Sequence, residues 1–407
     1  MPARRAFLLR GVVVALLGAG WAVAAWFLWR SKLPSGLDLP HVDASAVFGA
    51  SNIRQAASFD RFVRIDALLA ELALLGVLGV YAARGERLTR ESAAGPIGTG
   101  MLLGMLGFAF VWLVQLPFGL AELWWERRHD VSRVGYVEWV FGDWSALGGK
   151  FLFVCLALLI VMALARRMPR YWWLPAAGVF VGLAALFAFI LPWLISPTHA
   201  LRNPQLAAQA RRLERVEGTG DTRIVVQDVH RETSAPNAES AGFGPSRRVI
   251  LWDTLLDERF SNHEVRFVIA HELGHVARSH VLKSIGWYSL FAVPGVWAIA
   301  FVTRRRGGMG EPAAVPLGLL VLVVLGFVAQ PVQNVISRHM EAEADWLALQ
   351  ATHDPAAGRA LFKEFASSAL EEPNPPFWAY ALYENHPTLA QRIAMVDAWE
   401  ARRHGGR

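Results

Sequence analysis

The chain has 407 residues, of which 54% are hydrophobic and 17 are Trp, and its mean hydropathy is positive. That composition excludes an ordinary soluble protein of two or three domains and points to a membrane protein. The net charge of +6 does not argue for nucleic-acid binding, because the arginines stand in short clusters beside apolar runs, such as Arg166/Arg167/Arg170 and Arg304/Arg305/Arg306.

A helix needs about 20 predominantly apolar residues to cross a bilayer. On that criterion the sequence offers seven spans, at 11–29, 67–83, 93–121, 151–165, 171–195, 284–303 and 312–336. The first also has the shape of a secretory signal, with Arg4/Arg5 before an apolar core and Ala22-Val23-Ala24 as a cleavage site. Its apolar character continues through Trp29, so it reads as an uncleaved anchor. The fourth is short between Lys150 and Arg166, and needs Lys150 to snorkel or the preceding Ala146-Leu147-Gly148-Gly149 to join it. Residues 46–62 read as a connecting helix at the surface or against the bundle. Glu71 is an ionisable group at membrane depth, which requires water or a partner around it. His129 lies among aromatic and charged residues of a bilayer interface and has no partner at ligand spacing. The only cysteine, Cys155, sits in an apolar run, so intrachain disulfides and Cys-based zinc fingers are excluded.

One long polar insertion runs from about 198 to 283. Residues 200–217 read as a helix. Two β-branched runs, 223–228 and 248–253, read as strands of a small sheet, separated by a Pro-, Asn- and Gly-containing stretch. Residues 262–283 are again helical and carry His271-Glu272-Leu273-Gly274-His275. Four residues apart on a helix, the two histidines share a face and can grip one metal ion, with Glu272 toward its open side.

A catalytic zinc needs a third protein ligand and one position for water. A metzincin-type extension would want Gly at 278 and His at 281, where this chain has Arg278 and Val281. His280, nine residues past His271, falls on the opposite face of a continuous helix and is set aside as a ligand. After the last span comes Ser337-Arg338-His339-Met340-Glu341-Ala342-Glu343-Ala344-Asp345, in which Glu341 and Asp345 share a face and Glu343 projects away. A carboxylate for the metal, with an acid one turn on that orients a ligand histidine, fits this spacing; a solvated acidic face is the alternative.

These residues resemble the Ste24-type CAAX prenyl endopeptidases, membrane metallopeptidases of family M48. The resemblance covers nearly all of the chain. It rests on His271 to His275, on Ser337-Arg338 with Glu341 and Asp345, on Asn237-Ala238 followed by Gly242 and Gly244, on Ile250-Leu251 with Asp253 to Leu256, and on His386-Pro387-Thr388-Leu389 with Arg392. It implies a mainly α fold, with seven transmembrane helices enclosing a water-filled chamber and a small α+β zincin-like catalytic domain. It further implies one Zn2+ on His271, His275 and Glu341, Asp345 behind them, and His386 as donor to the tetrahedral intermediate. Arg392 is implied as a structural or substrate-backbone partner, and Asn237 and Ala238 as part of an edge that pairs with substrate. Glu239 stands where many relatives have an aromatic residue.

The organisation expected is a membrane region at 1–197, a catalytic insertion at 198–283, two further spans at 284–336 and a C-terminal catalytic part at 337–407. The activity expected is zinc-dependent peptide-bond hydrolysis with Glu272 as general base. The substrate would be a peptide or protein, lipidated or hydrophobic, met in contact with membrane lipid. Two alternatives stand beside it: a quality-control protease without prenyl specificity, and a membrane zinc-binding or transport protein with Glu71 on its pathway. The arginine-rich loops would put the insertion outside by the positive-inside rule, whereas the resemblance implies a cytoplasmic catalytic face.

Overall fold

A computed structural model describes residues 2–85, 87, 94–195 and 197–405. Long apolar sequences fold as helices because a bilayer offers no partner for an open backbone. The first six helices are α1 (Pro2–Trp29), α2 (Ala44–Phe48), α3 (Ala50–Arg84), α4 (Gly95–Arg128), α5 (Tyr136–Arg167) and α6 (Trp173–Leu194). After the insertion come α9 (His280–Thr303) and α10 (Val315–Thr352). Among the described residues, six of these helices are long and apolar enough to cross a membrane: α3, α4, the Gly148–Arg167 part of α5, α6, α9 and α10. In α1 the apolar stretch Val14–Trp29 is shorter.

One local expectation changes and another is decided. Residues 50–62 do not form a separate surface helix but the first turns of α3, whose 35 residues follow a break at Gly49 with φ 80°. The fourth span gains its length by the second of the two routes expected for it, since α5 begins at Tyr136 and carries Ala146 to Lys150 inside the helix. Where α4 meets α5, Gly100 and Gly104 leave room for neighbours. A Cβ would lie 2.2 Å from Met162 Sδ and 2.0 Å from Leu158 Cδ1 respectively, the close approach that small residues permit between membrane helices. Leu17, Leu72, Leu113, Leu152 and Phe187 lie exposed along these helices, as apolar side chains in contact with lipid can.

The insertion forms β1 (Thr198–Ala200), α7 (Pro204–Glu217), β2 (Arg223–Gln227), β3 (Ala238–Ala241), β4 (Arg248–Trp252) and α8 (Asn262–Ala277). Its four-stranded sheet has the order β1-β2-β4-β3. The two β-branched runs pair in parallel, with Val225 opposite Ile250. β3 pairs antiparallel with β4, Ala238 opposite Leu251, and leaves its other edge open. Beyond α10 follow α11 (Pro355–Ser368), α12 (Phe377–Leu382) and α13 (Leu389–Gly405). One hydrophobic core joins the insertion to this C-terminal part, with Leu206, Val249, Phe267, Trp346, Phe362 and Val396 all in it.

Candidate metal centre and substrate cleft

α8 starts at a capping box, in which Ser261 Oγ accepts from the Glu264 amide and the Glu264 carboxylate accepts from the Ser261 amide. Its apolar face, with Phe267, Ile269, Ala270 and Leu273, is fully buried. Gly274 faces the backbone of Ala344 on α10, where a Cβ would sit 3.4 Å from the Ala344 Cα. Two small residues at the crossing let α8 and α10 approach closely. The approach carries Glu341 to the two histidines of α8.

His271 Nε2 lies 3.1 Å from Glu341 Oε2 and 3.1 Å from His275 Nε2, and His275 Nε2 lies 3.5 Å from Glu341 Oε1. Ligands at about 2.05 Å around a tetrahedral zinc are separated by roughly 3.3 Å, so these spacings are the edges of such a tetrahedron. The chemistry of the donors agrees. His271 donates its Nδ1–H to Asp345 Oδ1 at 2.9 Å, which leaves a lone pair on Nε2 directed at another imidazole nitrogen and at a carboxylate. Positive charge between them, a metal ion or a proton, makes that arrangement favourable. Burial pushes the His271 imidazole down, but Asp345 and Glu341 outweigh it and hold it up to about 10; the surroundings are arranged for positive charge. His271, His275 and Glu341 are the group among the described residues that could hold a metal ion.

Asp345 is itself gripped by Arg392, with Nε donating to Oδ2 at 2.8 Å and Nη2 to Oδ1 at 2.7 Å. Arg392 is buried and lies over the Phe362 ring at 4.3 Å. Of the two roles the resemblance allowed it, the contacts support the structural one.

A cleft beside these residues is lined by Asn237, Ala238, His271, Glu272, His386 and Arg392. Glu272 is buried, and burial raises its carboxyl above the ordinary value, with Glu341 adding to the effect against His271 and His275. That bias suits a proton acceptor. His386 Nε2 reaches to 3.4 Å of Glu341 Oε2 while nearly half of its side chain stays open. It precedes the N-terminus of α13, where Thr388 and Gln391 cap each other's amides at 3.0 and 3.1 Å.

The edge strand is set by the motif after β4. Asp253 Oδ1 accepts from the Val229 and His230 amides at 2.9 and 3.0 Å, and Thr254 Oγ donates to the Ala235 carbonyl at 2.8 Å. Trp252 donates its amide to the Asn237 carbonyl at 3.0 Å. At the far end Gly242 has φ 77°, and a Cβ there would lie 2.8 Å from the Ser246 carbonyl oxygen, so only glycine fits.

Three participants are not apparent from sequence spacing. His280 is not on the far side of the site, because Ser279 takes a left-handed conformation with φ 54°, ends α8 and starts α9 in a new direction. His280 Nδ1 then comes to 2.8 Å from His275 Nδ1. The other two are arginines from the membrane helices. Arg64 of α3 pairs with Asp60, Glu372 and Glu384, and Arg338 of α10 donates to the carbonyls of Tyr380 and Glu384. Both hold the segment that leads into His386. The run Ser337-Arg338 was a visible signal; nothing local marked Arg64.

The model of peptidase family M48 matches residues 200–400. The chain is 27% identical over 317 residues to the uncharacterized metalloprotease YhfN of Bacillus subtilis, covering 73% of this chain and 74% of that protein. It is 26% identical over 325 residues to a CAAX prenyl protease 1 homolog of Oryza sativa subsp. japonica, covering 72% and 73%. It is 30% identical over 260 residues to a protease HtpX homolog of Acidiphilium cryptum, covering 56% of this chain and 88% of that protein. The fold matches the crystal structure of S. mikatae Ste24p with a TM-score of 0.75 and 19% identity, over 93% of this chain and 96% of that one. A converging His, His and Glu triad beside a cleft, in a helical membrane fold of this kind, takes its identity from those matches: the chain belongs to peptidase family M48 and is a multi-pass membrane metalloendopeptidase.

Proposed function

We propose that the enzyme is a zinc endopeptidase in which His271, His275 and Glu341 hold the metal, Glu272 is the general base and His386 steadies the oxyanion. The observation that carries this reading is the convergence of the three ligand atoms at tetrahedral spacing. Bound there, zinc supplies Lewis acidity toward a carbonyl and an acidified water. Glu272, buried at the cleft wall, takes the proton of the attacking water and returns it to the leaving amine. His386 donates toward the oxygen that gains charge. Asp345 fixes the ring and tautomer of His271, and Arg392 acts through Asp345. The substrate backbone adds to the open edge of β3 at Asn237 and Ala238, as an extended peptide adds to a sheet.

Residues 198–283 and 337–407 act as one catalytic unit on this reading, a view supported by their common core. The substrate is a hydrophobic or lipidated peptide that approaches through a wet space between the helices. Glu71, whose Oε2 is buried without a donor among the described residues, supports such a space. The catalytic face is cytoplasmic, and protease accessibility of a tag after Arg407 in intact cells tests it.

Glu272→Gln should retain zinc and lose cleavage of a quenched peptide; retained turnover overturns the assignment. A broader quality-control specificity is the second reading, supported by similarity to relatives whose names give a protease without a prenyl substrate. A prenylated CAAX peptide cleaved no faster than its unprenylated form decides for that reading.

A further inference from the structure

The two ligand histidines are not supported alike. His271 has a carboxylate, Asp345, directly on its Nδ1. His275 has a second imidazole there: His280 Nδ1 lies 2.8 Å away, and His280 Nε2 lies 3.1 Å from Glu343 Oε2. Glu343 and His280 are both buried, with side chains 1% and 4% exposed. The carboxylate also receives Arg278 Nε at 2.6 Å, Lys283 Nζ at 3.3 Å and the Lys32 amide at 2.6 Å.

One order of protons satisfies every contact when a cation sits on His275 Nε2. A ligating Nε2 has no hydrogen, so His275 carries its proton on Nδ1 and donates it to His280 Nδ1. His280 must then be protonated on Nε2, and that hydrogen is donated to Glu343. The reverse order puts the proton of His275 on Nε2, where it blocks the metal. Arg278 and Lys283 keep a negative charge matched at the end of the chain, and the buried acceptor is left with no open site for a competing proton donor. The arrangement needs the break at Ser279, since a straight α8 would carry position 280 away from His275.

We propose that His280 and Glu343 are positioning residues that select the metal-binding tautomer of His275. The inference rests on the zinc reading given above. Through Lys32 it also reaches the membrane region. Lys283 Nζ donates to the Arg30 carbonyl at 3.0 Å, and the His339 ring stacks on Trp29 with centroids 4.0 Å apart, so the end of α1 is seated on the same cluster.

The test is zinc stoichiometry and zinc affinity, by chelator competition, of the full-length detergent-purified protein and its His280→Phe, His280→Asn and Glu343→Met variants, with thermal unfolding of the metal-free forms alongside. Loss of such an outer partner typically weakens metal binding by about 10- to 100-fold. His280→Phe should fall in that range. His280→Asn, whose side-chain oxygen can accept the His275 Nδ1–H, should recover most of the affinity. A purely structural role would lower metal-free stability in both variants without this rescue. Wild-type zinc affinity in His280→Phe overturns the inference, as does equal loss in His280→Phe and His280→Asn. If His280→Phe does not fold, undiminished affinity in Glu343→Met, which leaves the His280 Nε2–H without its acceptor, overturns it. Absence of zinc from the wild-type protein is a different failure, that of the metal reading itself.

Discussion

Arg392 and Asp345 form a two-point ion pair at 2.7 and 2.8 Å, with side chains 8% and 2% exposed. The same Asp345 oxygen that accepts from Arg392 Nη2 also accepts from His271 Nδ1. His271 is therefore held at one remove by a residue of α13.

Breaking a buried pair by removing one partner costs about 3–5 kcal/mol, because the other charge is left uncompensated. Arg392→Met should lower the thermal midpoint sharply and weaken zinc binding with it. An unchanged midpoint in thermal unfolding would show that Asp345 does not depend on Arg392.

His386 stands outside the group formed by His271, His275 and Glu341, 3.4 Å from Glu341 Oε2, and lines the cleft. His386→Ala should keep full zinc and lose kcat by about 10²- to 10³-fold, the usual effect of removing one oxyanion donor, with KM little changed. Loss of metal in this variant would make His386 a ligand instead.

Arg64 pairs with Asp60, Glu372 and Glu384, the last of these two residues before His386. Arg64→Met should reduce kcat by loosening the segment that presents His386. The cycle with His386→Ala separates this from general damage. In a His386→Ala background the Arg64 change should cost little further activity, and full additivity of the two losses would refute the link.

Glu217 ends α7, where the helix dipole disfavours a carboxylate, and neither of its oxygens finds a donor among the described residues. Burial pushes its carboxyl up to about 8 from an ordinary 4.5, against the pull of His271. A raised folded-state value means that the native state binds the proton more tightly than the unfolded chain. The group therefore costs nothing at pH 4 and destabilises progressively as pH rises from 4.5 through about 8. Glu217→Gln should raise the thermal midpoint of chelator-treated protein at pH 8.5 and change it little at pH 5. A gain independent of pH would exclude titration of Glu217 as its source.

Much of this molecule is legible along the chain because the governing rules are local. An apolar run of bilayer length must become a helix, and six such helices are present among the described residues. Histidines four apart must share a helix face, which is why His271 and His275 could be named as a pair. β2 and β4 announce themselves by β-branched residues, whereas β3, Ala238-Glu239-Ser240-Ala241, carries no such signal and becomes a strand only by pairing with β4.

What the tertiary structure alone decided is where separate segments meet. Periodicity sends His280 away from the site only if α8 runs straight, and one left-handed residue at Ser279 reverses that conclusion. Arg64 lies in a membrane helix more than 300 residues from the acids it binds at Glu372 and Glu384. Side-chain spacing within one helix follows from backbone geometry, but the meeting of α8, α9, α10 and α3 depends on close packing at points such as Gly274 against Ala344. Those contacts are set by shape and burial across the whole chain, which no local pattern contains.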